Sequence, residues 1–261
     1  MDNDIVILQK EDKVATITLN RPAVYNALNQ DIKYRLTDVL DNCKNDDAIK
    51  AIILTGAGKG FCAGADMSDF SKRPSPRDVR DDLNSLYGGI VRRITEMHKP
   101  VICAINGPMA GAGIGIGLSC DYKIMADHAN MRFAFVNIGL VSDAGSTWFL
   151  TRAVGYTKAL EVIYGGEKIP ASDCLDMGII NSVVPADELM SAAKALAANL
   201  VEKSPLAFEA TKRLISQSLT QGLFETISSE ANEQMSLIAS EDHMEGVMAF
   251  VQKRKPSFKG K

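Results

Sequence analysis

Three features of the sequence predict an α/β fold. Apolar strand-like runs alternate with amphipathic helical stretches through the first half, a hairpin pattern opens the chain, and no strand signal appears from residue 201 onward. IVILQ and the alternating VATITL flank a Glu11-Asp12-Lys13 turn and read as that hairpin, spanning residues 5–20. After Arg21-Pro22 the period changes. Leu28, Ile32, Leu36, Val39 and Leu40 recur at three- and four-residue spacing, which predicts a helix over 29–44. A strand at 51–55, a polar helix over 76–97 and a strand at 101–105 then repeat a β-helix-β rhythm, which implies a largely parallel sheet covered by helices. YKIMAD at 122–127 adds a further strand, and beyond Asp143 only IINSVV at 179–184 interrupts helical patterning. KRPSPRD at 72–78 is the only linker-like stretch. We divide the chain into an α/β core, 1–200, and a helical C-terminal region, 201–261.

Composition narrows the function. With 261 residues and 46% hydrophobic content the chain buries a full core, and a net charge of −3 gives no global reason to bind nucleic acid or a membrane surface. MDNDIVILQKED lacks the basic and apolar regions of a secretory signal, so a cytoplasmic location is expected. The five cysteines, Cys43, Cys62, Cys103, Cys120 and Cys174, are odd in number and without C-x-x-C spacing, which suits reduced, buried thiols. His98, His128 and His243 form no metal-ligand pair, and no metal is expected.

The chain's most informative stretch is VICAINGPMAGAGIGIGLSCD at 101–121, where an apolar strand breaks at Asn-Gly-Pro and gives way to alternating glycines. Such glycines suit close helix packing. They equally suit a ligand site, because a helix starting near Gly111 has free N–H groups at its first turn. The run approaches membrane-spanning length, but five glycines and a proline argue against a span. The period of two is not the dinucleotide fingerprint G-x-G-x-x-G. A second glycine-bearing turn, GAGKGFCAGADMSDF at 56–70, follows the strand AIILTG. In open α/β sheets ligands bind outside the carboxyl ends of strands, so these two turns are expected to converge there. Neither Ser nor Thr follows Lys59, which removes the phosphate-loop reading.

These motifs resemble the enoyl-CoA hydratase/isomerase (crotonase) family over nearly the whole chain. The match runs through ATITLNRPAVYNAL, AIILTGAGKGFCAGAD, KPVICAINGPMAGAGIGIGLSCDYKIMAD, GLVSDAGSTWFLTRAVG and FVQKRKPSFKGK. The resemblance implies a crotonase-like spiral of ββα units, a helical C-terminal region that builds homotrimers or dimers of trimers, and coenzyme A thioesters as substrates. No cofactor is implied beyond the coenzyme A of the substrate itself. The family's shared chemistry is enolate stabilisation, in which two backbone N–H donors hold the thioester oxygen as charge develops on it, each contributing on the order of 3 kcal/mol. Carried onto this sequence, those donors are the amides of Ala65 and Ala112, with alanine at 112 where the family often has glycine.

The acid/base residues depart from the hydratase pattern. Where hydratases of the family carry two glutamates, this chain has Gly115 and Phe135, so neither water activation nor α-carbon protonation has an evident carboxylate. A double-bond shift needs only one. Gly139-Leu140-Val141-Ser142-Asp143-Ala144-Gly145 matches the G-L-x-x-[DE]-x-G stretch of isomerase-like branches, which makes Asp143 the candidate base. The same position, just before AGSTWFL, also suits the N-cap of a helix, a role that lowers a carboxylate's pKa where a base needs it raised. Ser142 replaces the proline usual before the acid.

By resemblance, Ala23, Tyr25, Ala63, Asp66, Met67, Phe70 and Gly111 line the coenzyme A path, Phe135 and Trp148 shape the acyl pocket, and Phe250 and Lys253 reach a neighbouring subunit's ligand. Met67 and Phe70 equally suit a core, and the basic tail equally suits plain solvation. Three readings follow: a 3-enoyl-CoA to 2-enoyl-CoA isomerase using Asp143, an enoyl-CoA hydratase of fatty-acid or aromatic-acid catabolism, and a catalytically weak acyl-CoA-binding protein. A serine hydrolase is disfavoured, because Ser146 and His128 form no nucleophile elbow.

Overall fold

The computed structural model describes residues 4–67 and 74–261. The predicted hairpin is β1 (Val6–Glu11) and β2 (Val14–Leu19), antiparallel from Val6 opposite Leu19 to Glu11 opposite Val14. Asp12 and Lys13 both take positive φ, 45° and 67°, the two-residue turn whose twist matches that of the strands it joins. Helix α1 (Gln30–Asn45) is capped as its sequence suggests: the Ile32 N–H donates to the Asn29 side chain at 3.1 Å. It buries Ile32, Leu36, Val39, Leu40 and Cys43. It also buries Lys33, whose ammonium donates to both carboxylate oxygens of Asp82 at 2.7 and 2.6 Å and lies over the Tyr87 ring.

Strand β3 (Ala51–Gly56) runs parallel to β2 and is buried along its whole length. The helix expected over 76–97 is three pieces. These are α2 (Pro76–Asp82), started by a Ser75–Asp78 capping box, a π-helical turn at Leu83–Tyr87, and α3 (Gly88–Thr95). Strand β4 (Val101–Ile105) is again fully buried and pairs parallel with β3. Then come β5 (Met109–Ala110), α4 (Ala112–Ser119), β6 (Tyr122–Ala126) and β7 (Asn130–Arg132). All eight residues of α4 are buried, and among the described residues no helix is long and apolar enough to cross a membrane. Helix α5 (Ser146–Gly165) breaks at Gly155, where φ is 77°.

Past α5 the structure departs from the helical expectation. β8 (Lys168–Pro170), a strand the sequence did not announce, completes a small sheet ordered β5-β7-β8, followed by α6 (Ala171–Asp176) and by β9 (Ser182–Val184), which lies within the strand expected at 179–184. The main sheet is ordered β1-β2-β3-β4-β6-β9, parallel except for β1, and α7 (Leu189–Val201) packs on β3, β4 and β6. Burial on both faces explains the unbroken apolar runs of β3 and β4, Ile52-Ile53-Leu54 and Val101-Ile102-Cys103. The chain ends in α8 (Pro205–Ser218), α9 (Leu223–Ile238) and α10 (Glu241–Val251). Helix α9 buries none of its residues, and Leu223, Phe224, Met235, Ile238, Met244 and Val251 stand exposed on this pair of helices.

Adjacency of β3 and β4 fixes the position of the site. Both strands end on the same sheet edge, so the turns leaving them, at 57–67 and 106–111, emerge side by side.

Candidate active site

Two side-chain amides, Asn26 and Asn106, fix the first turn, and Asn106 ties it to the second. Asn26, wholly buried, donates from its amide nitrogen to the carbonyls of Ala57, Gly60 and Phe61, while its Oδ1 accepts the Arg21 N–H at 2.8 Å. Asn106 donates across to the carbonyls of Gly58 and Gly60 at 3.0 and 3.2 Å. Ala110 N–H donates to the Cys62 carbonyl at 2.9 Å, and Cys62 pairs with Met109 as an isolated parallel bridge. The turns also meet closely at Gly64 and Gly111, where φ is 89° and 53°. A Cβ on Gly64 would stand 2.9 Å from the Ala110 carbonyl oxygen and 3.1 Å from the Ala112 nitrogen, so only glycine permits this contact.

This packing leaves two amides unspent. The Leu28 N–H donates to Gly64 O at 2.8 Å and the Asp66 N–H donates to Leu28 O at 3.2 Å. Those bonds flank Ala65 in a parallel bridge, so the N–H and C=O of Ala65 itself point away from Leu28. Ala112 is the first residue of α4, whose opening N–H groups have no intrahelical acceptor. Among the described residues, neither the Ala65 nor the Ala112 N–H donates to any group. Two free donors on touching turns, one at a helix N-terminus, suit an oxygen on which negative charge develops.

The third component lies on the loop before α5. Gly145 occupies the N-cap, and no side chain caps the helix, so the capping alternative for Asp143 does not hold. It is the Asp143 main-chain carbonyl that accepts, from Ser146 N–H at 2.9 Å and Ser146 Oγ at 2.8 Å. The Asp143 carboxyl is left with a buried oxygen, Oδ1, that has no hydrogen-bond partner among the described residues. Burial raises its pKa from the ordinary carboxylate range to about 6; the Asp82 charge adds in the same direction, and a hydrogen bond with its own backbone opposes both.

Gly115 explains how the loop that carries Asp143 comes to lie against α4. A Cβ at 115 would stand 2.2 Å from the Ala144 carbonyl oxygen and 2.6 Å from the Ala144 Cβ. The loop thus sits flush against α4, where a larger side chain at 115 would stand. Positions 112 and 115 are one turn apart on the same helix face, so the loop meets α4 next to its free N-terminal amide. The second departure from the hydratase pattern, Phe135, is buried in a 3-10 turn, and its carbonyl accepts the Leu140 N–H at 2.9 Å. Neither position offers a carboxylate.

The remaining predicted residues divide into two groups. Ala23, Tyr25, Ala63 and Met67 lie exposed around the two turns. Ala63 N–H donates to the Tyr25 carbonyl, and the Tyr25 ring packs on Gly60. Asp66 is buried and accepts from the Arg21 guanidinium at 2.8 Å, an ion pair that ties the turn to the Arg21-Pro22 segment. Phe70 lies outside the described residues. Trp148, half-exposed one turn into α5, meets Phe149 edge-on at 4.9 Å and carries the Arg152 guanidinium over its ring at 3.8 Å. Phe250 and Lys253 are not brought to the turns. They stand exposed at the end of α10, which packs on α9. Of the tail cations, Arg254 is held by Glu245 at 2.7 Å.

Sequence reading missed the buried hydroxyl of Ser142 and the Lys33–Asp82 pair. A lysine at 33, inside the apolar stripe of α1, is a visible signal for the latter.

The family model for enoyl-CoA hydratase/isomerase matches residues 9–261, and the chain belongs to that family. It is similar to 1,2-epoxyphenylacetyl-CoA isomerase of Escherichia coli, 35% identical over 99% of each chain. It is equally similar to short-chain-enoyl-CoA hydratase of Clostridium acetobutylicum, 35% identical over 98% of this chain and 97% of that one. A crystal structure of enoyl-CoA hydratase from Bacillus anthracis superimposes with a TM-score of 0.94 at 30% identity, covering 99% of this chain and all of that one. The fold is the crotonase fold, and the chain belongs to an enzyme family in which both relatives just described are named for coenzyme A thioesters.

Proposed function

We propose that the protein is an acyl-CoA double-bond isomerase. The amides of Ala65 and Ala112 hold the thioester oxygen, and Asp143 moves the proton. The observation that carries this reading is a half-buried carboxyl with one buried oxygen unpartnered among the described residues and a pKa near 6, on a loop pressed against the helix whose first amide is free. As a base, Asp143 removes a proton from the α-carbon of a 3-enoyl thioester. The resulting dienolate places its charge on the oxygen between the two amides, and the same carboxylic acid returns the proton to the γ-carbon to give the 2-enoyl product. A pKa near 6 leaves the group mostly ionised at neutral pH yet acidic enough to give the proton back.

Hydration needs a carboxylate to activate water and a proton source for the α-carbon, and positions 115 and 135 supply neither. The exposed coenzyme A path around Tyr25, Ala63 and Met67 leaves Phe250 and Lys253 for a neighbouring copy. We assign the exposed apolar surface of α9 and α10 to homotrimer contacts, since a patch of this extent on water is unfavourable unless covered. Incubation of the purified protein with 3-hexenoyl-CoA is expected to yield 2-hexenoyl-CoA, and Asp143→Asn is expected to lose the conversion while still binding coenzyme A thioesters. Conversion by the Asn variant, or rapid water addition to crotonyl-CoA with no isomerisation, refutes the assignment.

A further inference from the structure

The loop that carries Asp143 is inverted in polarity. Leu140 and Val141 face outward, at 51% and 86% exposure, while the next two residues turn buried polar atoms inward. Ser142 Oγ and Asp143 Oδ1 are the two buried side-chain polar atoms without a hydrogen-bond partner among the described residues, and they belong to consecutive residues. A serine hydroxyl has ready alternatives in a loop. Its own carbonyl neighbours, the helix N-terminus that follows and solvent beyond Val141 all offer partners. Ser146, four residues on, takes such a bond to the Asp143 carbonyl. Ser142 takes none. Leaving a hydroxyl buried and unpaired disfavours the folded state, and such groups concentrate where a ligand completes the bonding.

The chemistry of the two atoms is complementary. An ionised carboxylate only accepts, and in the reading above the Asp143 oxygen is committed to proton transfer. The hydroxyl of the preceding residue is a donor with no acceptor among the described residues. The contact of Ala144 with Gly115 places this loop against α4, one turn from the free Ala112 amide. Resting on the isomerase reading of the site, we infer that Ser142 is a specificity residue. Its hydroxyl donates to an acceptor oxygen on the acyl group, so that the preferred substrates are acyl-CoA thioesters bearing a keto or ether oxygen beyond the thioester carbonyl. A proline at this position, as the family usually has, offers no such donor.

The test is binding, which separates specificity from turnover. Dissociation constants of hexanoyl-CoA and 4-oxohexanoyl-CoA are measured by calorimetry on the wild-type protein, Ser142→Ala and Ser142→Thr. The wild type is expected to bind the oxo ligand about 10-fold more tightly, Ser142→Ala to bring the two within about 2-fold of each other, and Ser142→Thr to keep the preference. Equal affinities in the wild type, or a preference that survives Ser142→Ala, overturns the inference while leaving the isomerase reading intact. Failure of the wild type to bind hexanoyl-CoA overturns the acyl-CoA reading itself, and the inference with it.

Discussion

Replacing Asp143 by asparagine should make the protein more stable as well as inactive. The carboxyl titrates near 3.8 when solvated and near 6 in the fold, and burial is the main cause. At about 1.4 kcal/mol per pKa unit, the ionised group therefore weighs against the folded state by about 3 kcal/mol above pH 6. The sign follows from the direction of the shift. A raised carboxylate pKa favours the fold fully below pH 3.8, and that contribution is lost as pH rises through 6. An asparagine of the same shape has no charge to desolvate. Urea denaturation of wild type and Asp143→Asn at pH 8, 6 and 4.5 is therefore expected to show the variant more stable by up to about 3 kcal/mol at pH 8, with the difference shrinking to about 1 kcal/mol at pH 4.5. A variant less stable than wild type at pH 8, or a gain independent of pH, would refute the claim that an unpaired, desolvated carboxylate sits at 143.

Two further substitutions test the scaffold, and a pH profile tests the base. Gly115→Ala drives a Cβ into the Ala144 carbonyl, 2.2 Å away in the native backbone, and must displace the loop. It is expected to lower kcat/KM for isomerisation more than 100-fold and to destabilise by about 1–3 kcal/mol in urea. Asn26→Ala removes three hydrogen bonds, leaving the buried Phe61 carbonyl without its donor, and is expected to lower stability by about 2–4 kcal/mol by the same measurement, with KM rising as the turn at 57–67 loosens. For the wild type, kcat/KM is expected to fall tenfold per pH unit below about 6, as the base becomes protonated, and to level above it.

Much of the fold was legible because its signals are local. Asn29 caps the helix its spacing announced, and the doubly buried strands β3 and β4 show as unbroken apolar runs. The missed elements are those set by distant partners. β8, three residues long, exists through its pairing with β7, and the π turn at Leu83–Tyr87 and the break at Gly155 leave no periodic trace. In the site the limit is chemical. Backbone amides have no side-chain signature, so Ala65 and Ala112 were reached only through family resemblance. Of the roles weighed for the alternating glycines, close packing is the one the contacts display. Gly115 serves close packing, and Gly111 turns the chain at a free helix N-terminus. The cap and base readings of Asp143 share one spacing, and only the placement of Gly145 at the N-cap separates them.

The central claim is that two main-chain amides and one carboxyl generate an enolate from a thioester. Deuterium exchange at the α-carbon reads that step without requiring a finished product. Butyryl-CoA incubated with the enzyme in D2O and followed by proton NMR is predicted to lose its α-proton signal with wild type, and to keep it with Asp143→Asn at ligand concentrations that saturate both proteins. Exchange at undiminished rate in the Asn variant would contradict the account.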